Sequence, residues 1–409
     1  MKLKFTITFL VLTICYTASM IGQIPFVYNE ENRGADHPKP PLPAPQNLSF
    51  YPLLPDPFEF SDGSGRVEEY SDWSRRRNEI KAEIEEYEIG PKPSRPDIIT
   101  ADFEDGVLTV VITENGESLT LTSNVVIPDG EGPFPVIIGM NSGTGSIPAA
   151  LFEGVIQIPF MHNQVVPSHS GRDNNAPYFR LYPELTHVGY YSAWSWGISR
   201  LIDGIEIVQA EINANPERIG VSGCSYAGKM ALFAGAFDER IALTFVQESG
   251  GGGINSWRVA ESLERNVEKI DNTNYSWFMQ SMQTNFSGQP GLLPYDHHEL
   301  MAMIAPRALF VMGNPGWEWL GDEAGYVSCK AVEKVYAFFE IDDRFGYSFR
   351  GTSNHCATST QLDIEIKAFI DKFLHGDDSA DTNIRVTGDF LEFVNPDSWI
   401  NWPVKPDTP

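Results

Sequence analysis

The sequence predicts an α/β fold, a three-layer sandwich whose mainly parallel central sheet follows antiparallel N-terminal strands. Three observations carry that reading. Residues 108–113 and 119–127 alternate apolar and polar side chains like an antiparallel pair. From residue 136 onward, short apolar runs alternate with longer helical stretches, as expected of strands buried on both faces. In the middle stands Gly223-Cys224-Ser225-Tyr226-Ala227-Gly228-Lys229, where a short apolar strand turns abruptly into an apolar helix.

Taken in order, residues 1–22 begin with two lysines, continue as a largely apolar run and end in mostly small residues. That is the pattern of a signal peptide, with cleavage between Ser19 and Gln23. Ile14 stands before Cys15 where a lipidated protein would carry a small residue. The expectation is a soluble exported protein, secreted or periplasmic, with no membrane as partner. An irregular segment at 23–53, rich in Pro and Asn, precedes one domain at 54–376, and 377–409 reads as an irregular tail packed on or trailing that domain.

Within the domain, 73–87 has helical spacing with mixed charges. Residues 136–140 and 155–160 read as buried strands, and 191–213 as a helix ending before Asn215-Pro216. The elbow strand is placed at 219–222 and its helix at 229–236. Strands follow at 241–247, 308–312 and 345–349, with helices at 324–339 and 361–374.

A formal charge of −26 over 409 residues argues against nucleic acid as a partner, because like charges repel. The His and Cys spacings fit no common zinc motif, so neither metal nor cofactor is expected. Loss of the leader leaves Cys224, Cys329 and Cys356, at most one pair and one free thiol. No repeat is visible, and a monomer is expected.

The elbow carries the chemistry. A serine on a tight strand-to-helix turn is pushed out of the sheet beside the first backbone N–H groups of the helix. Gly223 and Gly228 supply small residues, although the second glycine comes one residue later than in the common G-x-S-x-G pattern. A serine hydroxyl needs a histidine to take its proton and a carboxylate to orient that histidine. Chain order Ser, acid, His, each at the end of a strand, is the α/β-hydrolase arrangement. His355, in Gly351-Thr352-Ser353-Asn354-His355-Cys356, alone lies between the last strand and the last helix. His297-His298 reads instead as a packed structural pair. For the acid, Glu248 ends the strand after the elbow helix, while Asp322 lies in the loop after strand 308–312. Glu248 is the better anchored, next to Gly250 to Gly253.

These segments together resemble the glucuronoyl esterases of carbohydrate esterase family 15. The family's Gly-Cys-Ser-Arg-x-Gly-Lys is matched at 223–229, its Gln-Glu-Ser-Gly at 247–250, and its Asp-His-His at 296–298 before Ala-Pro-Arg at 305–307. Trp-Leu-Gly at 319–321 and His-Cys at 355–356 complete the series, and the likeness spans residues 54–374. The resemblance implies Ser225 as nucleophile, His355 as base and Glu248 as acid. It implies that Lys229, Trp319 and a downstream carboxylate or amide grip the uronate hydroxyls. Glu268 is assigned to the last role, with Glu264 as the alternative. It implies a Cys224–Cys356 disulfide, consistent with the closeness that a triad would impose on the two neighbours.

The implied activity is hydrolysis of glucuronate or 4-O-methylglucuronate esters, of the kind joining glucuronoxylan to lignin alcohols. The partner is then a uronate-bearing polysaccharide or lignin–carbohydrate ester. One position departs from the pattern. The family arginine that helps hold the oxyanion is Tyr226 here, whose backbone N–H, and phenol, are the donors available. That departure leaves two alternatives, an esterase for another uronate or acetylated-sugar ester, and a carbohydrate-binding protein with weakened catalysis.

Overall fold

The computed structural model describes residues 24–404 except 168, 353 and 389–393. The expected signal peptide therefore lies outside the described residues. The antiparallel strands form a sheet of their own. They are β1 (Ile98–Glu104), β2 (Val107–Glu114) and β3 (Glu117–Asn124), paired in chain order. Leu108, Val110 and Ile112 of β2 point into the core while their neighbours are only partly covered. β1 was not foreseen because it is an edge strand. Its residues alternate between exposed and half-buried, so no apolar stripe marks it.

Seven strands make the larger sheet. They are β4 (Phe134–Met140), β5 (Ile156–Phe160), β6 (Ala214–Cys224), β7 (Ile241–Gln247), β8 (Ala308–Met312), β9 (Phe345–Ser348) and β10 (Arg385–Val386). Their order is β10-β9-β8-β7-β6-β4-β5, every neighbouring pair parallel. All residues of β7 and β8 are buried. That is why they read as continuous apolar runs and not as alternating strands. The two sheets meet at β3 and β5, where Ser123 Oγ donates to Pro159 O at 2.7 Å and, just beyond β3, Val126 and Gln157 exchange backbone hydrogen bonds of 3.0 Å.

Helix ends differ from expectation, most plainly in two helices. The long one ends at Ile207 and not at 213, because the chain reverses into β6 through Asn213, whose φ of 54° is left-handed. The first runs over Trp73–Ile84 and finishes as a wide turn over Glu85–Ile89, stopped by Gly90. The tail is less irregular than its sequence suggests. It supplies β10, and it buries Ile400 and Trp402, while Leu54 N–H bonds Trp399 O at 3.0 Å. At the other end, Glu31 pairs with the buried Lys92 and Arg200. No described helix is long and apolar enough to cross a membrane.

Strand register decides where a site can form. Cys224 lies opposite Gln247, Gln247 opposite Met312, and Met312 opposite Ser348. Strands β6 to β9 therefore end level, and the loops after them open on one edge of the sheet, the usual place for ligands in such sheets.

Candidate active site

The elbow joins β6 to the helix Tyr226–Phe237 through Ser225, which has φ 58° and ψ −127°. A non-glycine residue held there is strained, and surrounding bonds must over-determine it. They do. Ser225 N–H donates to Gln247 O at 3.0 Å, and Lys229 N–H donates to Ser225 O at 3.0 Å. A Cβ at position 223 would lie 2.1 Å from Ala227 O, and one at 228 would lie 2.5 Å from Gln247 O. The late glycine is thus where the helix crosses β7, and Ala227 is tolerated where a glycine is more common.

Glu248 follows β7 with φ 47°, pinned by its N–H to Met312 O at 2.7 Å. Its buried carboxylate oxygen Oε2 accepts from His355 Nδ1 at 2.5 Å and from Cys356 N–H at 3.0 Å. A carboxylate on Nδ1 holds the ring tautomer that leaves Nε2 with its lone pair, the form a general base requires. Nε2 makes no hydrogen bond among the described residues, and no Ser225–His355 bond is closed in this conformation. The Trp317 ring lies 4.8 Å from the His355 ring, tilted by 40°.

A disulfide ties the two halves together. Cys224 and Cys356 are bonded with a Cα separation of 5.7 Å across 132 residues of chain. Ser225 follows one half-cystine and His355 precedes the other, so the bond holds the loop after β9 against the elbow. In the chain-entropy account, closing so long a loop stabilises by about 4–5 kcal/mol. Cys329 is free and buried.

Cys224, Glu248, His355 and Cys356 place four potential metal-ligand atoms within 4.8 Å. This set does not fit a metal ion. Both sulfurs are consumed in the disulfide, and the carboxylate and imidazole are bonded to each other.

Asp322 makes no hydrogen bond to His355. It is buried in the first turn of the helix Asp322–Phe338, and its Oδ2 has no partner among the described residues. Burial, then the nearby Glu248 charge, pushes its carboxyl up to about 7.

On the other side of the serine, Lys229 Nζ pairs with Glu268 Oε2 at 2.8 Å, both side chains being buried. Thr273 Oγ1 donates to Glu268 Oε1 at 2.7 Å, and Lys229 Nζ sits 5.1 Å from the centre of the Trp277 ring. Glu264 is exposed, so of the two carboxylates weighed it is Glu268 that reaches Lys229. Trp319 is exposed, and its carbonyl accepts from Glu268 N–H at 3.2 Å.

Tyr226 is half-buried. Its hydroxyl accepts from Asn141 Nδ2 at 2.7 Å, and its ring stacks on His169 at 5.1 Å and on Trp277 at 6.0 Å. Asn141, His162, His169, Trp277 and Trp317 were not picked out for the site by the sequence reading. The available signal was weak: Asn141 and His162 stand just beyond the ends of β4 and β5, on the edge where the triad loops open.

An elbow serine beside a carboxylate-bound imidazole, at the C-terminal edge of a parallel sheet, defines a serine esterase of α/β-hydrolase type. The family model described as "Glucuronyl esterase, fungi" matches residues 110–340. The 4-O-methyl-glucuronoyl methylesterase of Podospora anserina is 35% identical over 359 residues, covering 86% of this chain and 74% of that protein. The glucuronoyl esterase catalytic domain of Hypocrea jecorina superposes with a TM-score of 0.82 at 35% identity, covering 89% of this chain and 99% of that one. A mutant of the Sporotrichum thermophile glucuronoyl esterase, in complex with methyl 4-O-methyl-beta-D-glucopyranuronate, gives a TM-score of 0.79 at 31% identity, covering 86% and 94%. The chain belongs to the glucuronoyl esterases of carbohydrate esterase family 15. Such relatives favour the uronate-ester reading over the acetylated-sugar esterase and the binding protein.

Proposed function

We propose that this protein hydrolyses esters of 4-O-methylglucuronate or glucuronate by acyl transfer through Ser225. The observation that carries the reading is the Glu248–His355 pair, whose far ring nitrogen is left open beside the strained serine elbow. His355 Nε2 takes the Ser225 proton as Oγ attacks the ester carbonyl carbon. The carbonyl π pair moves to oxygen, and the Tyr226 backbone N–H at the start of the elbow helix meets that oxyanion. Collapse of the tetrahedral adduct expels the alcohol, which takes the proton from His355. Water, deprotonated by the same imidazole, then attacks the acyl-enzyme, and Ser225 recovers its proton as the uronate leaves. Glu248 keeps the Nδ1 proton and offsets the charge of the transient imidazolium.

Lys229 and Glu268 face the uronate hydroxyls as a donor–acceptor pair, with Trp319 as an apolar rim. A buried lysine offers three donors and a carboxylate only acceptors, a combination suited to vicinal hydroxyls. The natural ester would join glucuronoxylan to lignin alcohols, met by an exported monomer without metal or cofactor.

Comparing benzyl glucuronate with p-nitrophenyl acetate tests the reading. The wild type should show the higher kcat/KM on the uronate ester. Lys229→Ala should raise KM for that ester by about tenfold, the effect of losing one charge-assisted contact, and leave the acetate nearly unchanged. Equal losses on both esters, or a preference for the acetate, would reject uronate recognition.

A further inference from the structure

The Tyr226 hydroxyl ends a chain of hydrogen bonds that begins away from the elbow. Asn141 follows β4 directly and adopts φ 69°, a left-handed conformation that asparagine tolerates better than most residues. Its backbone N–H is held by Phe160 O at 3.0 Å, so the residue is pinned between the ends of β4 and β5. From there its side-chain amide points two ways: Nδ2 donates to the Tyr226 hydroxyl at 2.7 Å, and Oδ1 meets His162 Nδ1.

The orientation of that amide decides what the phenol can do. His162 lies edge-on to Trp194, with ring centres 5.3 Å apart. Burial, then the neighbouring His169, holds its imidazole down at about 4, so at neutral pH the ring is uncharged and carries a single N–H. With that proton on Nδ1, it is donated to Asn141 Oδ1. The amide then cannot turn over without setting N–H against N–H. In that tautomer Asn141 presents a donor to Tyr226, whose oxygen is the acceptor. A hydroxyl that accepts still has one proton of its own to give.

Everything else about Tyr226 is held as well. Its ring stacks on His169 and Trp277, with interplanar angles of 27° and 17°. Its carbonyl accepts from Tyr191 OH at 3.1 Å. Burial raises the phenol above its ordinary range, so it keeps its proton at neutral pH.

We propose that Asn141 and His162 are positioning residues that set the direction of the Tyr226 hydroxyl, leaving its proton for the oxyanion formed when Ser225 attacks. The inference rests on Ser225 being the nucleophile. A neutral phenol is a weaker donor than a guanidinium, but one oriented in advance needs no reorganisation when charge develops. The relay supplies that orientation, and it runs through residues outside the nucleophile segment.

The test is a double-mutant cycle on benzyl glucuronate with wild type, Tyr226→Phe, Asn141→Asp and the double variant, each checked for folding by thermal melt. A carboxylate at 141 only accepts, so it would draw both the His162 N–H and the Tyr226 O–H toward itself. Tyr226→Phe and Asn141→Asp should each lower kcat by about 10²-fold, the typical loss of one oxyanion donor, with KM within about twofold. The double variant should be no slower than Tyr226→Phe alone, because Asn141 acts through the phenol. His162→Phe, which frees the amide to turn over, should also lose kcat. His162→Asn, which returns an N–H near the Nδ1 position, should recover it.

Three results would overturn the proposal. Full activity in Tyr226→Phe would remove the phenol from the reaction. An unaffected Asn141→Asp beside a slow Tyr226→Phe would mean that the phenol already donates to Asn141. Multiplying losses in the double variant would mean that charge at 141 acts on the oxyanion directly. None of these touches the assignment of Ser225, which its own alanine variant tests.

Discussion

Two histidine–glutamate pairs in this molecule have nearly the same contact and opposite prospects. His297 Nε2 lies 2.9 Å from Glu88 Oε1, and His355 Nδ1 lies 2.5 Å from Glu248 Oε2. The His297 side chain is 0% exposed and the His355 side chain 30%. Both nitrogens of His297 face acceptors, Glu88 on one side and the Gly253 carbonyl on the other. Burial is the largest single influence and disfavours charge there, but the Glu88 carboxylate, the Gly253 carbonyl and the Asp296 charge together raise the imidazole above its ordinary value. Both nitrogens are engaged, and none is left to move a proton. His355 spends one nitrogen on its carboxylate and keeps the other. A histidine beside a glutamate is therefore not yet a catalytic dyad; the second nitrogen, and whether it is free, decides.

The comparison breaks first at the serine. Ser225→Ala and His355→Ala should each lower kcat by roughly 10⁴–10⁶, judged from other serine hydrolases, with the fold intact by circular dichroism. Either variant keeping near-wild-type turnover would show that the chemistry is elsewhere.

A smaller effect sharpens the choice of carboxylate. Glu248→Gln should cost about 10²–10⁴ in kcat, because the amide no longer fixes the productive tautomer. Asp322→Asn should cost less than about tenfold, since Asp322 does not touch His355. The reverse ranking would place the working acid in the later loop.

His297→Gln is the complementary experiment. Removing one partner of a buried ion pair leaves an uncompensated charge, and about 3–5 kcal/mol of stability should be lost in urea unfolding. Turnover per folded molecule should stay within a few-fold. A variant as stable as wild type but slow would make His297 part of the reaction.

The smallest expected effect concerns Asp322 and pH. Its carboxyl is raised in the folded protein from 3.8 to about 7, so the folded state holds that proton more tightly than the unfolded chain does. Its contribution to stability is therefore fully present at acid pH and lost as pH rises through that window. Asp322→Asn cannot titrate there. Its melting temperature relative to wild type should improve by a few degrees between pH 4 and pH 8, and a constant difference would contradict the buried-acid picture.

Much of this molecule could be read before its structure. The strands 241–247 and 308–312 were placed at their observed bounds because strands buried on both faces show as unbroken apolar runs. The serine elbow was legible because its turn chemistry is local. Glu248 and His355 were legible because strand ends are, and chain order reduced eight histidines to a few. β1 and the packing of the tail were not legible, since an edge strand and an irregular segment owe their place to what they lie against.

The sequence by itself determined which residue types stand at the strand ends, and hence the class of chemistry. Tertiary structure decided the partners. Only level strand ends and the Cys224–Cys356 bond bring Glu248, Ser225 and His355 to one edge. Only the fold sets Glu268 rather than Glu264 against Lys229, and joins His162 to Tyr226 through Asn141. The physical reason is reach. Propensity, turn chemistry and periodicity act over a few residues of chain, whereas a hydrogen bond between residues 107 positions apart, as between Glu248 and His355, exists only after the core has packed.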